Sequence, residues 1–460
     1  MSGLYGSLSI ALSALASSQQ ALETTANNVA NANTPGYSRQ RSVLEPALPV
    51  NYGPLTFGTG VVISKIESLR DPILEIQLNQ QTQHQSRLDT ELQQLQQIQT
   101  GFGSASSGIG ADITKFFNAL QQLSPDPTNL ALRQAVLTAA GNLATDFNLS
   151  ATNLQTQGSN LNQSVTESIG EVNTLTAEIA SVNQQISYLE NVHQNASSLV
   201  DQQTSLIRKL SSLIDVQVIP TDQGISLTTS SGAPLVSGGQ SFALSTDLAS
   251  NGSERVMSGS QDITNTLTGG SLAGTIHIRD VQIPGMLGQL DQLAAGLSTA
   301  LNTANHAGYD LSGNLGGNLF VAPPVGGVGA ASGIRLAITD PTLLAASTDG
   351  TPGSNGNLAT LSAVHDQGVV NGQTPLEYYS NTVFQVGSTA SNTSADASAA
   401  DQILRQLQDQ RGSVSGVSLD EEAANMVQFQ TAYQAAARVV STVNALLSDA
   451  VNLGLGGTMQ

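Results

Sequence analysis

At 460 residues the chain has room for about three domains of ~150 residues each and for a sizeable core. Only 11% of it is charged and 4% aromatic, and Trp and Cys are absent. With 15 basic against 34 acidic residues and a net charge of −19, it has no basic stripe to neutralise phosphates. That excludes sequence-independent nucleic-acid binding and docking on an anionic membrane. Zero cysteine excludes disulfides, thiolate metal sites and thiol catalysis.

The first element in chain order is a helix nearly free of charge. Residues 1–38 hold a single charged side chain, Glu23, while Leu8, Ala11, Leu15, Ser18, Leu22, Thr25 and Val29 keep 3-4 spacing. Thr34-Pro35-Gly36-Tyr37 stops this helix as a type II turn. The apolar run from Ser7 to Ser18 is too short to span a bilayer. It also lacks basic residues in front of it, since the first is Arg39, so no cleaved export signal is expected.

Asp71-Pro72 reads as an N-cap with Pro at the first helical position, opening a helix to about Thr100 with Leu74, Leu78, Leu88, Leu92, Leu95 and Ile98. Shorter helical patterns follow near 112–123 and 128–148. Val165, Ser168, Val172, Leu175, Ile179, Val182, Ile186 and Leu189 then form a heptad series, and 196–214 is again amphipathic. The period switches at Val216. Val218 and Ile219, Ile225 and Leu227, Phe242 and Leu244, Thr275 to Ile278 and Ile334 to Ile338 read as strands between Gly and Ser clusters. A helix at 284–306 interrupts them.

Helical character returns from Pro375 to Gln410. The last helix starts at Ser418-Leu419-Asp420-Glu421, a capping box with acidic residues at the helix N-terminus. Its seam is Met426, Phe429, Tyr433, Ala436, Val440, Val443, Leu447 and Ala450. Residues 423–460 carry only Arg438 and Asp449 as charges. A surface helix normally covers its outer face with charge. Two readings of the terminal helices stand: burial within one core, or a pair whose outer faces pack against other subunits and stay loose in the isolated chain.

These elements predict a mainly α protein with a β-rich insert, in an elongated, layered molecule. Residues 1–33 with 419–460 would form a coiled-coil-type terminal helix pair, disordered in the monomer. Residues 34–215 with 351–418 would form a long-helix bundle, and 216–350 one β-rich outer domain. No catalytic, cofactor or metal constellation is visible. His84, His193, His277, His306 and His365 lack ligand spacing, no G-x-S-x-G elbow or Walker A motif occurs, and Gly327-Val-Gly329 follows two prolines rather than a strand. No enzyme activity and no cofactor are expected.

The segment from Ala26 to Tyr37, ANNVANANTPGY, resembles the N-terminal signature of bacterial flagellar rod, hook and hook-associated proteins. The run Gly416-Val-Ser-Leu419-Asp-Glu-Glu422, with Asn425-Met426 and Gln430 to Ala435, is similar to the matching C-terminal signature. Tyr37-Ser38-Arg39-Gln40, the long helices of 71–214 and the segments 287–290 and 302–310 narrow the resemblance to the hook-associated protein 1 branch. The resemblance implies a self-assembling subunit of the hook–filament junction. Its implied partners are further copies of itself, hook protein, the third hook-associated protein, the flagellar secretion apparatus and an export chaperone on the C-terminal helix at about 419–453. It implies an extracellular location, with no nucleic acid and no membrane insertion. The assembly residues carried over or read from the seams are Leu8, Leu15, Leu22, Asn27, Asn28, Val29, Pro35, Gly36, Tyr37, Leu419, Met426, Phe429, Tyr433, Val440, Val443 and Leu447. Alternatives are another axial protein of that family, the third hook-associated or a distal rod protein, or a surface adhesin or coiled-coil interaction protein.

Overall fold

The computed structural model describes residues 2–52, 55–102, 108–221 and 224–456. Met1 and 457–460, counted above with the terminal helices, lie outside the described residues. The chain opens with α1 (Ser2–Ala30), followed by β1 (Gln40–Pro46), β2 (Val50–Tyr52), β3 (Leu55–Phe57) and β4 (Val61–Ser68). Four helices follow: α2 (Pro72–Gly101), α3 (Ile109–Leu123), α4 (Leu130–Asn191) and α5 (Ser197–Leu213). Strands β5 (Gln217–Thr221), β6 (Gly224–Thr228), β7 (Pro234–Ser237), β8 (Gln240–Ser241), β9 (Leu244–Leu248), β10 (Glu254–Ser258) and β11 (Gln261–Asp262) make up the central β-rich region. The chain then continues through α6 (Gly270–His277), α7 (Ile283–His306), α8 (Ala330–Gly333), α9 (Gly356–Ala363), α10 (Pro375–Ser415) and α11 (Leu419–Gly456).

The chain divides into two compact units. The first gathers Met1–Thr82, Val172–Ala243 and Asp401–Gln460; the second gathers Gln83–Glu171 and Leu244–Ala400. In the second unit, α3, the N-terminal part of α4, α7, α9 and the start of α10 enclose one large apolar core. Phe116, Phe147, Leu120, Leu143, Leu297 and Phe320 are each fully buried there. One close approach needs glycine: a Cβ on Gly296 would meet Val369 O at 2.8 Å. Arg133 is 1% exposed in this unit. It donates to the carbonyls of Pro127, Pro341 and Leu344, replacing the hydration that burial removes. A capping box opens α10, where the Glu377 carboxylate accepts from Thr374 N and Oγ1.

In the first unit β5–β8 form an antiparallel four-stranded sheet in sequence order. The sheet is pinned to α4 by Asn183, whose amide donates to the carbonyls of Ile225 and Gly238. The same unit holds the long β1–β4 ribbon, which lies along α1, and the pairing of α1 with α11.

The structure corrects three readings. Thr275 to Ile278 is helical, the end of α6 running into a π turn at Ile278–Gln282. Four residues of alternation are too short for period alone to separate strand from helix. Ile334 to Ile338 forms no strand; Leu336 makes only an isolated bridge to Phe320. The ribbon within 40–68 was not foreseen, and the separate patterns at 128–148 and 165–189 belong to one continuous helix, α4.

Candidate functional site: the joint of the terminal helices

Thr34-Pro35-Gly36-Tyr37 forms the expected turn: Tyr37 N donates to Thr34 O at 3.2 Å, and Gly36 takes φ +85°. Only glycine adopts that backbone cheaply at the third turn position. The reversal brings Tyr37–Gln40 back beside Asn28, which is 1% exposed. The Asn28 amide nitrogen donates to Gln40 O (2.8 Å) and Glu422 Oε2 (3.0 Å). Its oxygen accepts from Gln40 N (2.9 Å) and Tyr37 Oη (2.8 Å). All four hydrogen-bonding capacities of the side chain are thus used, and one of them crosses from the first helix to the last.

Arg39 makes the second crossing. Its Nε donates to Glu422 Oε1 at 2.6 Å and its Nη1 to Glu421 Oε2 at 2.5 Å. Its backbone nitrogen donates to Ser415 O at the end of α10. The Glu422 side chain is 2% exposed and that of Glu421 63%. The Glu422 bond is therefore the desolvated one, and the Glu421 bond is screened by solvent. Burial would lower the Arg39 pKa, but hydrogen bonds and charge from Glu421 and Glu422 outweigh it and hold it above its ordinary value. Burial, reinforced by Asp201 and Glu422, pushes the Tyr37 hydroxyl up to about 12.

A second layer of charge fixes the base of the turn. Arg411 of α10 donates from Nε to Glu75 Oε1 (2.6 Å) and from Nη2 to Gly36 O (3.0 Å). Arg208 of α5 binds the other oxygen of Glu75 at 2.7 Å. Arg70 binds Asp201 Oδ1 at 2.5 Å. Burial depresses Arg70 in spite of the facing carboxylates, and raises Asp201 in spite of Arg70. Four helices, α2, α5, α10 and α11, thereby meet at one turn.

From this joint α1 and α11 run side by side. On α11, Ala436 and Val443 are buried and Met426, Phe429, Tyr433, Val440, Leu447 and Ala450 half-buried; Leu419 is exposed. On α1, Leu8, Leu15 and Leu22 are half-buried, while Val29, Asn27 and Pro35 are exposed and Gly36 and Tyr37 half-buried. Ser17, Thr24 and Asn28 face the ribbon, bonding Val61 O, Ser42 Oγ and Gln40. At ~100° per residue these lie about 200° from Leu15 and Leu22, so α1 has one polar and one apolar packed side. Sequence reasoning missed the Arg39, Glu75, Arg208 and Arg411 contacts and gave Glu421 and Glu422 a capping role. The available signal was scarcity: where so few side chains are charged, each one needs a partner.

Residues 8–37 match the flagella basal body rod protein family, and 410–453 match the flagellar basal body rod FlgEFG protein C-terminal family. These two matches meet at the joint. Residues 95–320 match the flagellar hook-associated protein FlgK helical domain. Flagellar hook-associated protein 1 of Bacillus subtilis is 32% identical over 99% of this chain and all of its own length. The chain belongs to the flagellar hook-associated protein 1 family. The Escherichia coli member is 25% identical over 96% of this chain and 98% of its own. The solved structure of the flagellar hook junction protein FlgK from Burkholderia pseudomallei shares the fold, with a TM-score of 0.68 at 19% identity over 74% of this chain and all of that one. As a family member the chain is a component of the bacterial flagellum. Among the described residues no helix is long and apolar enough to cross a membrane, and no group of three or more His, Asp and Glu is placed to hold a metal ion.

Proposed function

We propose that this chain is a structural, non-catalytic subunit that polymerises at the hook–filament junction and gives the filament a base on which to assemble. The observation that carries this reading is the joint: the two segments that match axial-protein families are bound to each other through Asn28 and Glu422, with Arg39 just past the first of them reinforcing the bond. The paired α1 and α11 extend from it with almost no charge on their outer faces. Small, neutral faces pack against copies of themselves without desolvating charge. Contacts between unlike surfaces propagate into a helical array rather than closing as a dimer.

In this reading residues 1–33 with 419–460 are the assembly segments, carried by the rest of the chain. Leu8, Leu15 and Leu22 set against Met426, Phe429, Tyr433, Val440, Val443 and Leu447 form the seam. Asn27, Val29, Pro35 and Leu419 remain exposed for neighbours, and Gly36 and Tyr37 shape the joint. The terminal helices order fully when neighbours supply the missing half of their burial. The chain leaves the cell through the flagellar secretion apparatus, with a chaperone holding about 419–453 beforehand, and then meets hook protein on one side and the third hook-associated protein on the other.

Deletion of the gene tests the reading. Electron microscopy of the deleted strain is expected to show bare hooks, with unpolymerised flagellin in the medium. Normal filaments on those cells would refute the junction role.

A further inference from the structure

The β1–β4 ribbon has only two strands, a bulge between Val43 and Leu44 divides it, and its backbone is bonded to α1 at Gln40 and Val61. The part near Gln40 and Ser42 is held against α1. Beyond the bulge the ribbon still follows α1 at Gly60, where a Cβ would meet Ser13 Oγ at 2.0 Å and Ile10 Cα at 3.3 Å. There, however, its side chains turn outward. Leu44 is 46% exposed and Val62 44%, and past the end of β1 Leu48 in the connection is 88% exposed and Val50 of β2 46%, with Ile10 of α1, next to Gly60, at 41%. Leu44 pairs with Ile63 and Val62 with Glu45, so the exposed apolar groups occupy both faces of the ribbon. Apolar groups exposed on both faces of a two-stranded ribbon call for cover.

We infer that this outer ribbon is a docking element for a second copy of the chain, received by the outer face of that copy's α1. The inference rests on the junction reading. The charge pattern selects the partner. Between Leu44 and Val62 the ribbon carries one charge, Glu45, whereas its stem carries Arg41, Lys65 and Glu67 paired to one another. The matching surface must also be uncharged, and the chain supplies it. Tyr5, Leu12 and Ala16, all exposed, share the flank of α1 between its ribbon side and its α11 seam, and no charge interrupts them before Glu23. Because ribbon and helix face are unlike surfaces pointing in different directions, each copy offers one and accepts the other. The contact propagates without closing.

The absence of cysteine makes the test clean. The Leu48→Cys/Leu12→Cys double variant, assembled in cells and oxidised in isolated hook–filament preparations, is expected to give a ladder beyond the dimer on a non-reducing gel; each single variant gives none. Dimers from Leu48→Cys alone, or only monomers from the double variant, would overturn the inference. Independently, Leu48→Asp/Val50→Asp in the deletion strain is expected to be exported with wild-type circular dichroism and to lower the number of filaments per cell at least tenfold. Wild-type filament numbers from that variant, in a strain whose deletion leaves bare hooks, overturn the ribbon's role while leaving the junction reading intact. Normal filaments in the deletion strain itself refute the reading beneath it.

Discussion

Asn28 decides more at the joint than its size suggests, because one neutral side chain both donates to and accepts from its surroundings. Asn28→Asp keeps the shape, removes both donors and sets a carboxylate against Glu422, whose facing oxygen is 3.0 Å from the amide nitrogen. A buried group left in that state typically costs about 3 kcal/mol or more. Chemical denaturation of the full chain is expected to show a loss of that order, and a loss under about 0.5 kcal/mol would contradict the placement, being the scale of an ordinary surface change. Tyr37 gives a pH signature. Its folded pKa of about 12 lies above the ordinary tyrosine value of 10.0, so folding favours the protonated hydroxyl. That contribution is fully present below pH 10 and disappears as pH rises toward 12. Thermal unfolding measured across this window should fall more steeply for the wild type than for Tyr37→Phe, and parallel curves would count against the buried hydroxyl.

At the scale of elements, the sequence announced whatever local chemistry enforces. Asp71 caps α2 through Ile73 N and Leu74 N, the Pro35-Gly36 turn takes its expected form, and the seam of α11 was written in its 3-4 spacing. Helix α7 was expected at 284–306 and spans Ile283–His306. What the sequence hid depends on partners distant in the chain. The ribbon has no clean alternation because a bulge shifts its parity beyond Val43 and its exposed part is apolar on both faces. Glu422 looks like an ordinary N-terminal helix acid until Arg39, 383 positions away, is seen to reach it. Thr275 to Ile278 alternates like a strand yet is helical: four residues are too few for period to separate the two, and Thr275 bonds Ser271 O one turn back while His277 faces Glu91.

For the whole molecule, the consequence is a division of labour along the sequence. The middle of the chain carries the large apolar core, and the two ends meet in a polar joint that directs an almost uncharged helix pair. Stability and assembly then reside in different residues, so a substitution in the terminal seam should remove one and spare the other. Val440→Asp places a charge in the α1–α11 seam, far in sequence from the core of the second unit. The most direct test is to complement the deletion strain with Val440→Asp and count filaments by electron microscopy, with circular dichroism of the purified variant alongside. The expected result is export of a protein that keeps most of its helical signal, and cells bearing bare hooks. Filaments at wild-type number, or a variant that has lost most of its helix, would contradict the account.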